Sequence, residues 1–256
     1  MEKLLENKTI LIAGAGGLLG TRLVPAIIAQ GGQVIAADIN IEAMTERLAS
    51  LGVDIESNNL TLTTLDVTNE ESVSKLFSTH TNIDGAINST YPRNKTYGAH
   101  FFDVSLESFN ENLSLHLGSA FLFTQQCASY FKKHENPLSL VNISSIYGVV
   151  APKFEIYDNT AMTMPVEYAA IKSAIQHINK YTVAYVNDSR FRINCVSPGG
   201  IFDHQPDAFL EAYKTKTHGV GMLDVEEVIG SILFLLSEQS RYVTGQNIIV
   251  DDGFSL

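Results

Sequence analysis

The stretch that most constrains this chain is its first strong apolar run and the turn that follows. Thr9-Ile-Leu-Ile-Ala13 is a short continuous run of the kind found in a strand buried on both faces, and it passes directly into Gly14-Ala-Gly16-Gly17-Leu18-Leu19-Gly20. A helical pattern through Leu23, Ile27 and Ile28 continues from there. Strand, glycine turn and helix together form the setting in which backbone N–H groups and a helix N-terminus bind a pyrophosphate; a tight turn without a ligand is the alternative. The next apolar run, Gln33 to Asp38, ends in an acid. A carboxylate there accepts the ribose hydroxyls of adenosine and repels a 2′-phosphate. No Arg or Lys lies within the glycine turn or directly after Asp38, so NAD is favoured over NADP. A solvated acid at a strand end is the other reading of Asp38.

At 256 residues the chain is most simply one α/β domain, residues 1–256, with an ample core and no visible linker. A net charge of −11 and the lack of any Lys/Arg run argue against a nucleic-acid surface. Cys127 and Cys195 sit in apolar surroundings without C-x-x-C spacing, which reads as two buried free thiols in a reducing compartment and no zinc site. The N-terminus has no apolar leader pattern and no later stretch approaches a membrane span, so a soluble cytoplasmic protein is expected.

Further along, an amphipathic helix is expected over Ile41 to Leu51, a third strand over Leu60 to Leu65, and a helix near Asn69 to Thr79. Asp66 and Val67, at the end of the third strand, are placed to lie against adenine. A fourth strand, Asp84 to Asn88, opens into a long loop from Ser89 to about Asp103. That loop leaves the C-terminal end of a strand, where ligands bind in open α/β sheets, and it carries Arg93, Lys95 and His100 among Tyr91, Tyr97 and Phe101. Such cations with aromatic neighbours suit a phosphorylated or nucleotide-linked sugar; a solvated surface loop is the alternative. One long helix from about Val104 to Lys133, interrupted only by Gly118, precedes a fifth strand, Leu138 to Ile143. An irregular flap from Ala151 to Pro165, a helix to Val186, a sixth strand over Arg192 to Val196 and a sharp turn at Ser197-Pro-Gly-Gly200 follow. Residues 201–222 read as a mobile lid with a short helix around Asp207 to Lys214, and a helix and strand, Val225 to Leu236 and Asn247 to Val250, close the chain.

The chemistry is concentrated in Tyr168-Ala-Ala-Ile-Lys172. In a helix, Tyr168 and Lys172 stand four apart and share a face. A cation near a phenol favours the phenolate and brings its pKa down towards neutrality, which suits a proton donor or acceptor in carbonyl reduction or alcohol oxidation. The same spacing occurs at Tyr91 and Lys95, but Pro92 takes Tyr91 out of helical geometry. Ser144 and Ser145 follow the fifth strand, on the same sheet edge as the glycine turn if the sheet is parallel, where a hydroxyl can bond a substrate oxygen.

Taken jointly, these motifs and their order resemble the short-chain dehydrogenase/reductase family in its smaller branch, over essentially the whole chain. The resemblance implies a doubly wound Rossmann-type parallel sheet of order 3-2-1-4-5-6-7 flanked by helices, a nicotinamide cofactor, and a homo-oligomer, dimer or tetramer, joined through the helices at 104–133 and 165–186. It assigns the cofactor to Gly14, Gly17, Leu18, Leu19 and Gly20 in the turn, to Asp38, Asp66, Val67 and Asn88, and to Pro198, Gly199 and Ile201 near the lid, with Tyr168 and Lys172 at the nicotinamide ribose. Tyr168 is then the general acid/base, Lys172 lowers its pKa, and Ser145 positions the substrate oxygen beside the loop residues Tyr91, Arg93 and Lys95.

Three departures stand out. Leu18 replaces the middle glycine of the family's turn, Asn88-Ser-Thr-Tyr91 lacks the glycine expected after strand four, and His116 stands where a catalytic asparagine is expected, with Asn112 one turn earlier. That asparagine kinks the helix and anchors a water linking the lysine to solvent; an imidazole, which both donates and accepts, can keep a proton relay, and a packed helix histidine is the alternative. The Tyr-Pro-Arg-Asn-Lys95 loop, the Met162 to Tyr168 approach and the Asp-Gly-Phe-Ser-Leu256 end are similar to dehydrogenases of bacterial flagellin-glycosylation and nonulosonate pathways, which implies a sugar or sugar-phosphate substrate. An NADPH-dependent reductase of 3-oxoacyl thioesters, with an apolar lid in place of Asp203-His204-Gln205, and a non-catalytic NAD-binding regulator are the rival readings.

Overall fold

A computed structural model describes residues 3–256. Seven parallel strands, β1 (Thr9–Ala13), β2 (Gln33–Asp38), β3 (Leu60–Thr64), β4 (Gly85–Asn88), β5 (Leu138–Ile143), β6 (Phe191–Pro198) and β7 (Asn247–Val250), form one sheet of order β3-β2-β1-β4-β5-β6-β7. Side chains alternate along each strand, so β1 feeds two cores. Ile10 and Ile12 pack under helices α1 (Leu18–Ala29), α2 (Ile41–Ser50) and α8 (Glu226–Leu236), through Leu23, Met44 and Ile232 among others. Leu11 and Ala13 face α3 (Glu70–Thr79), α5 (Ser119–His134) and α6 (Val166–Val186), through Phe77, Phe123 and Val186. Every residue of β1 is buried, which is why that strand reads as an unbroken apolar run. The buried free thiols of Cys127 and Cys195 belong to this interior.

Strand order reverses between β1 and β4, and the crevice outside their carboxyl ends is where open α/β sheets take ligands. The helix starts differ in a way that bears on that crevice. Asn40 caps α2 by accepting from the Ala43 amide at 2.9 Å, and Asn69 caps α3 by accepting from Ser72 at 2.9 Å, with Glu70 and Glu71 facing its positive end. Helix α1 begins at Gly17 with no side-chain cap, which leaves its first-turn N–H groups turned to the crevice.

Two elements differ from the sequence expectation. The helix expected over 104–133 begins with α4 (Leu106–Asn112), passes through a π turn at Leu113–Gly118 and continues as α5, so the irregularity is not a break at Gly118 alone but a whole turn that ends there and contains His116. An apolar stripe read at helical spacing does not register a slip of one residue. Strand β6 reaches Pro198, because Ser197 and Pro198 pair with Ile249 and Val250; the turn begins at Gly199. In the lid segment, helix α7 (Asp207–Lys214) buries Phe209 and Tyr213, and Tyr213 stacks on Phe254 at 4.5 Å.

Gly20 shows how tightly the turn is folded onto α1. A Cβ there would lie 2.2 Å from the Gly14 carbonyl oxygen and 2.7 Å from the Ala15 Cα, both backbone atoms that cannot swing aside. Gly20→Ala is expected to cost about 1–3 kcal/mol of stability, read as a lowered midpoint in denaturant unfolding.

Candidate active site

The carboxyl ends of β1, β4, β5 and β6 surround two neighbouring hollows. One, a cavity of about 350 Å³, is lined by Ser145, Tyr168 and Lys172 on one side, by Pro198, Gly199 and Ile201 on another, and by Tyr91 between. The second, a cleft of about 410 Å³, runs past Gly14, Asp38, Asp66 and Val67. Thr90 and Tyr91 line both and form the seam where the two meet.

The end of β5 holds α6 in place. Lys172 Nζ donates to the Ile143 carbonyl at 2.8 Å, while Ser144 Oγ donates to the Lys172 carbonyl at 2.9 Å and accepts from Gln176 Nε2 at 3.0 Å. Gly148 lies so close that a Cβ would come 2.7 Å from the Lys172 carbonyl carbon. One turn before Lys172, Tyr168 lines the same cavity as Ser145, whose Oγ accepts from the Tyr147 amide at 3.2 Å. The sequence points to the Ser144-Ser145 pair but not to Gln176 or Gly148, and it gives Ser144 a substrate-side role where the structure gives it a bond to the α6 backbone.

The electrostatics differ from the sequence expectation at Tyr168. Burial raises its pKa, opposed by the nearby Ser145 hydroxyl. The ammonium of Lys172 is itself buried, its pKa brought down to about 8 by desolvation, and it spends a hydrogen bond on Ile143, so it does not bring the phenol below its ordinary value here. Lys172 Nζ lies 5.4 Å from the Tyr168 ring centre and 3.4 Å from His116 Nε2. His116 is buried, and desolvation together with the Lys172 charge lowers its pKa to about 2. The imidazole is therefore neutral; Nε2, facing an ammonium, accepts, which puts the ring proton on Nδ1, a buried atom with no hydrogen-bond partner among the described residues. Asn112 is occupied elsewhere: it exchanges hydrogen bonds with Asn94 at 3.0 and 3.1 Å and approaches the buried carboxyl of Glu167 at 3.4 Å. Of the two candidates in that helix, His116 is the one beside Lys172.

The glycine turn fits a dinucleotide. Gly14 has φ +84°, a left-handed conformation that favours glycine, and a Cβ on it would meet Ser89 at 3.1 Å. Asp38 accepts from the Gly16 amide at 2.9 Å and from Asn40 at 3.1 Å, which fixes the carboxylate at the cleft with lone pairs to spare for ribose hydroxyls. Leu18, 42 % exposed, opens α1, while Leu19 is buried beneath the turn. Asn88 Oδ1 accepts from Thr90 Oγ1 at 2.7 Å and shapes the seam. A cation that short-range reading overlooked also arrives: Arg47 of α2 donates to the Gly16 carbonyl at 2.7 Å.

The loop after β4 divides its residues between the hollows. Tyr91 packs edge-on against Tyr168 at 5.5 Å and His116 at 5.0 Å, with its hydroxyl bonded to Tyr97. Arg93 lines the Asp38 cleft, and neither Lys95 nor His100 lines either hollow. Among the described residues lining the Tyr168 cavity, Lys172 alone is a cation; the rest of its wall includes Tyr147, Tyr157, Met162, Met164, Phe209, Tyr213 and Met222. Tyr157, Met162 and Met164 come from the flap, whose irregular backbone carries no periodic signal, and Phe209 and Tyr213 from helix α7, whose spacing shows the helix but not the cavity that it faces.

A parallel sheet with a dinucleotide cleft opening onto a tyrosine–lysine–serine cavity is the build of an oxidoreductase working between alcohols and ketones. The sequence profile of a family described as "Enoyl-(Acyl carrier protein) reductase" matches residues 14–255. A Campylobacter coli protein, "Post-translational flagellin modification protein A", is 39% identical over 99% of this chain and 100% of its own length. A "7alpha-hydroxysteroid dehydrogenase" from Bacteroides fragilis is 27% identical over 98% of this chain and 95% of its own. Among solved structures, a short chain dehydrogenase from Leptospira borgpetersenii with bound NAD+ superposes with a TM-score of 0.87 at 31% identity, covering 100% of this chain and 95% of that one. The chain belongs to the short-chain dehydrogenase/reductase family.

Lys172 gives a pH signature. With its folded pKa lowered to about 8 from 10.5, the unfolded chain holds more protons between those values, so this group's contribution makes stability rise with pH through that window. The rise, on the order of 3 kcal/mol, is expected to be missing in Lys172→Met when unfolding free energies are measured from pH 7 to 10.

Proposed function

We propose that this chain is a cytoplasmic NAD-dependent dehydrogenase/reductase acting on a secondary alcohol or ketone of a sugar or sugar-phosphate derivative, in the modification of a surface glycan. The observation that carries the reaction class is the convergence of Ser145, Tyr168 and Lys172 on one wall of a cavity that adjoins the Asp38 cleft. Support for NAD comes from the fixed carboxylate of Asp38, which a 2′-phosphate would have to approach, and from the engagement of Arg47 with a backbone carbonyl. Support for the sugar comes from aromatic walls that can stack on a ring, and from the name of the Campylobacter relative.

When bound, the nicotinamide would supply or accept the hydride at the substrate carbon. Gly14, Gly17 and the first turn of α1, with Asp38, Asp66 and Val67, would hold the dinucleotide, and Pro198, Gly199 and Ile201 its nicotinamide end. Ser145 Oγ hydrogen-bonds the substrate oxygen and aims it at Tyr168. As the carbon gains hydride, the carbonyl π pair moves to oxygen, which takes the Tyr168 proton; oxidation runs these transfers backwards. A phenol kept protonated by burial is the acid that reduction needs, and the Lys172 charge stabilises the phenolate left behind. His116 passes a proton between Lys172 and water beyond Nδ1, taking over from the family's asparagine. Phe121, Tyr181 and Tyr185, 50 %, 66 % and 76 % exposed along a groove between α5 and α6, supply a face for a homodimer or homotetramer.

A second reading, reduction of a 3-oxoacyl thioester or other apolar ketone, draws on Met162, Met164, Phe209 and Met222 in the cavity wall, and on Gln205 being the lining member of Asp203-His204-Gln205. Initial rates with NAD(H) and NADP(H) across hexose phosphates, nucleotide sugars, ketoses and a β-ketoacyl thioester separate the two. Turnover of a sugar derivative with NAD is expected, and Tyr168→Phe should lower kcat by about 10²- to 10⁴-fold while NADH still binds. Robust NADPH-dependent thioester reduction would overturn the sugar and cofactor assignments together. For the relay, His116→Phe is expected to slow kcat about ten-fold or more with NADH affinity unchanged, and His116→Asn to restore part of it; equal rates in all three forms would reduce His116 to packing.

A further inference from the structure

Arg93 is a charged group in the β4 loop to which the chemistry above gives no task. Its guanidinium rests on the Tyr91 ring, 4.9 Å from the centroid, and it lines the cleft of Gly14, Asp38, Asp66 and Val67. Among the described residues it takes part in no ion pair. The loop holds it firmly: Pro92 restricts one side, and on the other Asn94 exchanges two hydrogen bonds with Asn112 and donates to Glu111 Oε2 at 2.7 Å.

The charge balance of the cleft gives this arrangement meaning. Asp38 and Asp66 both line it, and among the described residues Arg93 is the one cation that does. A dinucleotide brings a diphosphate dianion into a hollow already bordered by two carboxylates, in a chain of net charge −11. The uncapped start of α1 offsets part of that repulsion, but Leu18 stands exposed at its first position, where the family's turn has a glycine that lets phosphate approach. A planar guanidinium, pre-oriented by stacking, offers two parallel N–H donors to phosphate oxygens.

We propose that Arg93 is a cofactor-binding residue whose guanidinium holds the dinucleotide's diphosphate from the loop side of the cleft. This rests on the NAD reading above. It also means that Arg93 serves the cofactor and not a substrate phosphate, and that the ordering of the Tyr91 ring at the seam is coupled to cofactor occupancy.

Calorimetric titration of the full chain and of Arg93→Ala, Arg93→Gln and Arg93→Lys with ADP, adenosine, 2′,5′-ADP and NADH tests this without turnover. Arg93→Ala and Arg93→Gln are expected to bind ADP and NADH about 10- to 100-fold more weakly, with adenosine unchanged, and Arg93→Lys to recover only part because it lacks the planar fork. The salt dependence of ADP binding should flatten in Arg93→Ala. Equal ADP affinity in wild type and both neutral variants would overturn the assignment. So would a loss confined to 2′,5′-ADP, which puts the guanidinium at the ribose, or intact nucleotide binding with a raised KM for a phosphorylated sugar. A wild-type chain that binds neither ADP nor NADH would remove the NAD reading itself, and this assignment with it.

Discussion

The site depends on a clasp between β5 and α6. Lys172 donates its ammonium to the Ile143 carbonyl, and its own carbonyl accepts from Ser144 one residue further along. Each partner therefore satisfies a polar group of the other at a place where water is excluded, and an unmade bond there would cost more than the bond itself contributes. Because Ser145 follows Ser144 and Tyr168 lies one turn from Lys172, the same clasp sets the distance between the hydroxyl and the phenol. Gly148 keeps the contact short, since any side chain there would push α6 away from the sheet.

Burial then decides how the charges behave. In water, a lysine four residues from a tyrosine would pull its phenol towards ionisation; in this cavity both groups lose hydration, and the loss dominates their mutual attraction. Lys172 is left nearer neutrality than an ordinary lysine and Tyr168 holds its proton. His116 is neutral for the same reason, and the π turn brings its ring to Lys172 while the apolar residues around it, Leu113 and Leu117, still pack with Ile171 and Cys195. Tyr91, where the family has glycine, puts an aromatic ring between the two hollows and against both Tyr168 and His116. Two of the three departures from the family pattern, at Tyr91 and His116, thus meet at one place in space although they are 25 residues apart in the chain.

Local rules made much of the fold readable. The unbroken apolar run of β1, the glycine turn and the acid ending β2 each follow from what a strand buried on both faces and a bare helix start require, and Asn40 and Asn69 cap the helices that they precede. The helix at Asp207–Lys214 and the strand at Asn247–Val250 were equally visible in spacing. The π turn was not, because one inserted residue leaves the apolar stripe on nearly the same face. Arg93 was visible as a cation in a ligand-side loop, but which hollow it lines depends on the Asn94–Asn112 pair, an interaction between a loop and a helix that no spacing rule contains.

By itself the sequence determined the order of elements, the face that each helix buries and the meeting of Tyr168 with Lys172 on one helix, since these are set by backbone periodicity over a few residues. Tertiary structure decided the protonation of that pair, the choice of His116 over Asn112 as the neighbour of Lys172, the aromatic and methionine walls of the cavity, and the placement of Arg93. Those properties come from desolvation and from contacts between segments far apart in the chain, and neither exists until the sheet edge closes around them.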